Sequence, residues 1–251
     1  MIEKMIAERH GINDIAVVDV ETTGTGGADE VVELAVVTMD RESMQITDWF
    51  TSLVRPTIGI SFGAMAVHHI TEVMIIDKPY LMATVLESGL PDANVLVAHN
   101  AAFDRPKIEA ADTMPRNMPW ICTYRCARHF IRGMESYGNM ALRYQLKLDI
   151  SDMPDEAGAL PHRALYDAWV TAKLLEVLAG AAYHQCPQGS DLISYLVTAT
   201  TKPILLDTVG FGKHFGKSWA DVPKDYLQWC KNQSFDDDTM HTIKHHLGEL
   251  L

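Results

Sequence analysis

The spacing of hydrophobic and polar positions changes several times along this chain, and each change marks an element. IAVVDV at residues 15–20 is a short β-branched apolar run that stops at ETTGTGG, the pattern of a strand closed by a glycine-rich turn. VVELAVVTMD and ITDWFTSLVRP are two more strand-like runs separated by the polar DRESMQ, which predicts a three-stranded meander. After Lys78-Pro79, YLMATVLESG predicts a helix, NVLVAHN a fourth strand and AAFDRPKIEAA a helix interrupted by Pro106. PWICTYRCARHFIRG combines a short strand with a helix, and NMALRYQLKL predicts a further helix. PHRALYDAWVTAKLLEVLAG predicts the longest, with Leu165, Ala168, Trp169, Ala172 and Leu175 at helical spacing. Three strands followed by alternating helices and strands predict an α/β fold with a mixed central sheet flanked by helices. Residues 1–180 read as the main domain, 181–202 as a linker carrying Pro187 and Gly189 and then a short amphipathic stretch, and 203–251 as a small C-terminal module.

Composition adds limits. A chain of 251 residues with 47% hydrophobic residues can fill a sizeable core, and a mean hydropathy of -0.02 is ordinary for a soluble protein. The opening MIEKMIAERHGIND lacks a basic stretch followed by an apolar one, and the nearest approach to a long apolar run, VVELAVV, carries a glutamate in its middle. These features predict a soluble, cytoplasmic protein with no membrane contact. Cys122, Cys126, Cys186 and Cys230 are scattered without a CxxC pair, which predicts reduced structural thiols rather than disulfides or a thiolate zinc site. The net charge of -12 speaks against a basic nucleic-acid surface, but a site that gathers carboxylates around divalent cations is itself acidic. The charge therefore excludes little.

Candidate chemistry clusters in three places. Asp19 and Glu21 stand two apart at the end of the first strand, so the period of two points both carboxylates to one side. Thr22, Thr23 and Gly24 follow in a turn that can bring backbone N–H groups to a phosphate or sugar. Asp104 lies shortly after the fourth strand at a helix start, and His99 and Asn100 at that strand's end either contact substrate or satisfy backbone groups. Asp167 shares the longest helix with the apolar Leu165, Ala168 and Trp169, where a carboxylate wants a metal or a partner. His162 stands on or just before its first turn, where an imidazole can take a proton from water.

In chain order these residues spell DVETTG, HNAAFD and HRALYD, and in that order and spacing the sequence resembles the DEDDh 3′→5′ exonucleases. A sister class carries tyrosine four before the last aspartate, where this chain has Arg163. The resemblance runs from about residue 15 to the end; its departures are an extension of some fourteen residues at the start and the loop DMPDEAGAL before His162. It implies a ribonuclease H-like sheet and two Mg²⁺ or Mn²⁺ ions about 3.5–4 Å apart on the scissile phosphate. Asp19, Glu21, Asp104 and Asp167 would be their ligands and His162 the general base. It also implies that Thr22, Phe103 and the His69-Ile70-Thr71 loop hold the 3′-terminal nucleotide, and that the protein removes nucleotides from DNA 3′ ends or single strands, in DNA repair. RNA as substrate and a proofreading subunit of a DNA polymerase stand as alternatives, and an inactive nucleic-acid-binding module is a further one. Arg125, Arg128 and Arg132 at i, i+3 and i+7 suggest a basic stripe that tracks a phosphate backbone, against the alternative of a solvated face. In the last module Phe211, Lys213, His214, Phe215, Lys217 and Trp219 interleave aromatic and basic residues, which suggests a grip on nucleic acid against the alternative of a hairpin-like packing unit.

Overall fold

A computed structural model describes residues 15–115, 117–155 and 160–250. The expected N-terminal extension and the residues 156–159 of the loop before His162 lie outside this range. Five strands form one mixed sheet in the order β3-β2-β1-β4-β5: β1 (Ile15–Thr22), β2 (Val31–Met39), β3 (Ile46–Leu53), β4 (Val95–Ala98) and β5 (Trp120–Cys122). The first three pair antiparallel as the meander, and β4 and β5 join parallel to β1. This is the expected α/β layout.

Alternation within β1 divides the core in two. Ile15 and Val17 face the long helix α7 (Ala164–Tyr183), together with Ala35, Val37, Val95, Val97 and Ile121. Ala16, Val18 and Val20 face the other layer, built with Val85 of α3 (Leu81–Ser88) and Ile108 of α4 (Ala101–Glu109). β2 is buried along its whole length, so it is a central strand covered on both faces. α7 is buried on most of its circumference, from Ala164 to Ala182. Between β3 and α3 lie two short helices that the hydropathy pattern did not reveal, α1 (Phe62–His68) and α2 (Glu72–Ile75). α5 (Thr123–Phe130) and α6 (Asn139–Gln145) complete the flanks.

The stretch 181–202, expected as a linker, instead contains α8 (Leu192–Thr201), whose Ile193, Leu196 and Ala199 enter the α7-side core. Thr200 accepts the N–H of Cys122 at 2.9 Å through its hydroxyl and Arg125 Nε at 2.6 Å through its carbonyl. The described chain divides into two compact units, the second beginning at Thr201. The second unit has its own core of Val209, Trp219, Val222, Leu227, Cys230 and Ile243, built around α9 (Lys224–Lys231) and α10 (Asp237–Leu247). No helix among the described residues is long and apolar enough to cross a membrane. All four cysteines are free thiols, as expected.

Candidate active site

β1 pairs with β4 only through Val17, yet β1 runs on to Thr22. Its last residues therefore project past the end of β4, at the carboxyl edge of the parallel strands where α/β sheets present their chemistry. The N–H of Val20, left without a strand partner there, donates to Asp104 Oδ1 of α4 at 3.3 Å. Asp19 and Glu21 continue the face of Ile15 and Val17 and so meet the first turn of α7, which carries Asp167. Carboxylate oxygens of Asp19, Glu21 and Asp167 lie within 4.8 Å of one another. The β1–β2 register slips between Glu21 and Thr22, a bulge that turns the strand at the rim of the site.

Crowding these acids together away from water disfavours their charged forms. Burial and then the charges of Asp104, Asp167 and Glu21 hold the Asp19 carboxyl well above the usual range. Burial, with Asp167 and Glu33 beside it, pushes Glu21 up to about 8. Burial also raises Asp104 to about 7, against the pull of the Val20 N–H. Asp167 rises to about 6 by burial, moderated by the charge and backbone N–H of His162. One Asp167 oxygen is buried with no hydrogen-bond partner. A set of oxygen donors that is over-negative and partly unsatisfied fits hard divalent cations, which Asp19, Glu21 and Asp167 are close enough together to hold.

His162 is exposed on the turn that enters α7, with a left-handed backbone (φ 64°). The next residue anchors that turn: Arg163 grips Glu33 with two nitrogens, Nε at 2.9 Å and Nη2, and the N–H of Ala164 donates to Glu33 Oε2 at 3.0 Å. Glu33 stands opposite Glu21 in the β1–β2 register and is almost wholly buried. The sequence shows Glu33 only as the glutamate that breaks VVELAVV and Arg163 only as the residue in place of a tyrosine, and it does not show that the two pair. The signal was present as a glutamate inside a strand otherwise apolar on both faces, because such a charge must be partnered. On the other flank, Asn139 of α6 donates to the Asp167 carbonyl at 3.0 Å and the Thr171 hydroxyl at 3.1 Å, tying α6 to α7.

A cavity of about 290 Å³ opens beside the carboxylates, lined by Glu21, Thr22, Gly24, Ser61, His68 and Phe103 among others. Of the residues expected to contact substrate, Thr22 and Phe103 are in this lining. The Thr22 hydroxyl donates to Gly24 O at 2.6 Å, and Thr23 is buried with its hydroxyl on Asp29 at 2.8 Å, so both shape the turn. The same turn is pinned from α4 by the ammonium of Lys107, which donates to the carbonyls of Gly26, Gly27 and Asp29. His68, not its neighbour, faces the cavity: its Nδ1 accepts from Ile70 N–H at 2.9 Å, leaving Nε2–H to donate to Thr22 O at 3.2 Å. His69 is the exposed left-handed residue that ends α1, and Ile70 is buried against Val32, Ile60 and Ile75. His99 bridges Thr123 Oγ1 and Tyr137 O, and burial pushes it down to about 4, which marks a neutral structural imidazole. Asn100 is an exposed left-handed residue at the start of α4. The arginine stripe does not form: Arg132 lies beyond the end of α5, Arg125 is engaged with Thr200, and Arg128 sits over the Tyr137 ring at 4.5 Å.

The RNase T exonuclease family profile matches residues 16–175. The chain belongs to the DEDDh 3′→5′ exonuclease family. It is 36% identical over 241 residues to Exodeoxyribonuclease 10 of Escherichia coli (strain K12), covering 93% of this chain and 98% of that protein. It is 27% identical over 197 residues to the DNA polymerase III subunit epsilon of Treponema pallidum (strain Nichols), covering 74% of this chain and 85% of that protein. Among solved structures it is similar to exonuclease X in complex with 5′ overhanging duplex DNA, with a TM-score of 0.58, 36% identity, and coverage of 71% of this chain and 98% of that chain. The sheet and its helices are thus those of a ribonuclease H-like exonuclease, as the motifs implied.

Proposed function

We propose that this chain is a metal-dependent exonuclease that removes nucleotides from DNA 3′ ends by two-metal phosphodiester hydrolysis. The observation that carries this reading is the convergence of Asp19, Glu21 and Asp167 within 4.8 Å, with Asp104 against the same strand end. DNA is favoured as the polymer by the similarity to Exodeoxyribonuclease 10 along almost its whole length. That similarity covers 93% of the chain, against 74% for the polymerase subunit, which favours a free-standing enzyme over a proofreading subunit.

Mg²⁺ or Mn²⁺ held by the four carboxylates would supply Lewis-acid stabilisation of the phosphate and a more acidic water. The residues supply the rest. His162 takes the proton of the attacking water, the water oxygen bonds to phosphorus, and the 3′-oxygen of the preceding nucleotide leaves. The left-handed turn fixed by Arg163 and Glu33 keeps that imidazole beside Asp167. The cavity beside Glu21 receives the terminal nucleoside, with the Phe103 ring as an apolar wall and the His68–Thr22 bond fixing the distance between α1 and β1. The test is digestion of a 5′-end-labelled single-stranded DNA with Mg²⁺, run beside Asp19→Ala. A descending ladder from the unaltered chain, absent in the variant, is expected; intact DNA in both lanes, with Mn²⁺ also tried, overturns the reading.

A further inference from the structure

The second unit, from Thr201 on, divides the aromatic and basic residues of 211–219 into two sets. Phe211 stacks on Phe235 at 4.3 Å, Trp219 is fully buried, and His214 is buried edge-on against Tyr226 at 4.6 Å, so these three hold the unit together. Lys213, Phe215 and Lys217 are exposed. α9 adds what the sequence had not suggested: the rings of Tyr226 and Trp229 stack at 5.5 Å, and the Lys213 ammonium sits 4.8 Å from the Tyr226 ring. Phe215 is 74% and Trp229 54% exposed. Gly212 is required where the turn touches α9, because its φ is +62° and a Cβ there would meet the Tyr226 hydroxyl oxygen at 2.5 Å.

We propose that Lys213, Phe215, Lys217, Tyr226 and Trp229 form a binding surface for single-stranded nucleic acid. The exposed rings of Phe215 and Trp229, with Tyr226 as the ring that joins Trp229 to the Lys213 ammonium, match unpaired bases and the phosphates between them, whereas a duplex keeps its base faces stacked inside. Charge supports this occupant. The unit carries six lysines and seven carboxylates, but Asp236, Asp237 and Asp238 are gathered at the start of α10. Burial and then the charges of Lys217 and Lys213 hold the His214 imidazole below its usual range, against the charge of Asp225, so both ammonium groups act on the ring that packs under Tyr226. A second hold on the strand lengthens residence between cleavage events by raising effective concentration. This inference rests on the nuclease reading above, since it is the substrate strand that would be held.

The experiment uses the full chain carrying Asp19→Asn, with Mg²⁺, and reads the anisotropy of a labelled oligothymidylate of about twenty nucleotides, a length above the site sizes of single-strand binders. Trp229→Ala and Phe215→Ala, each checked for folding by circular dichroism, should weaken binding by about 5- to 100-fold, the effect of losing one stacked base. Lys213→Gln should also flatten the salt dependence, by about 0.7 in the log–log slope. Lys244→Gln, in the same unit but outside the surface, should do neither. Unchanged affinity in both aromatic variants overturns the proposal and assigns the face to a protein partner instead. Digestion by the chain with Asp19 intact is followed separately, so a failure of the nuclease reading is distinguishable from a failure of this one.

Discussion

At the scale of single residues, the Glu33–Arg163 pair bears the most on the site without touching substrate in the proposed scheme. Arg163 offsets a carboxylate that would otherwise add to four others, and its backbone continues from His162 into α7. Replacing Arg163 by Ala leaves Glu33 buried with only the Ala164 N–H, and breaking a buried pair from one side costs about 3 kcal/mol. Urea unfolding of Arg163→Ala should show that loss, and Glu33→Gln in the same chain should recover part of it, because the stranded charge is then gone. If the double variant is as unstable as the single one, the loss came from packing of the guanidinium rather than from charge. Gly212→Ala is a second residue-scale case. The positive φ and the approach of Tyr226 together should cost about 1–2 kcal/mol of the second unit's stability, read as a lowered melting midpoint.

At the scale of elements, α8 decides where the catalytic unit ends. Ile193, Leu196 and Ala199 fill the core under α7, and Thr200 satisfies both β5 and α5. A chain ending at residue 180 should therefore be poorly soluble, or unfold at markedly lower urea than one ending at 202; equal midpoints would show that α8 is dispensable. This helix reads as part of a linker because Pro187 and Gly189 punctuate the approach to it and Thr198, Thr200 and Thr201 dilute its helical propensity, while its buried apolar positions at i, i+3 and i+6 span only seven residues. The strands were legible because buried strands announce themselves by β-branched runs with turn residues at their ends. The carboxylates were legible because parity and order placed them at strand and helix ends. The cavity was less so. Whether His68 or His69 faces it depends on the left-handed turn that ends α1, and nothing in the doublet itself distinguishes them. Arg132 misled for the opposite reason, since a helical period was extended past the point where the helix stops.

At the scale of the whole molecule, an acidic protein that works on a polyanion has to use cations, and its stability should record that need. Asp19, Glu21 and Asp104 have folded pKa values above those of the unfolded chain, so the folded state holds protons that the unfolded state has released. Stability must then fall as pH rises through that interval. His99 and His68 act with the opposite sign, because their pKa values are lowered by burial, but their contribution is complete once the unfolded imidazoles have lost their protons near pH 6.5. Cys126, pushed up to about 12 by burial, enters only above the ordinary thiol range. Between about pH 6.5 and 8.5 the carboxylates therefore dominate. Thermal melts in EDTA should drop across this window, melts in Mg²⁺ should stay nearly level because the cation replaces the lost protons, and Asp19→Asn should reduce the drop. A melting temperature independent of both pH and Mg²⁺ would mean that these carboxylates carry no shared charge burden, and the case for a cation site built from them would fall with it.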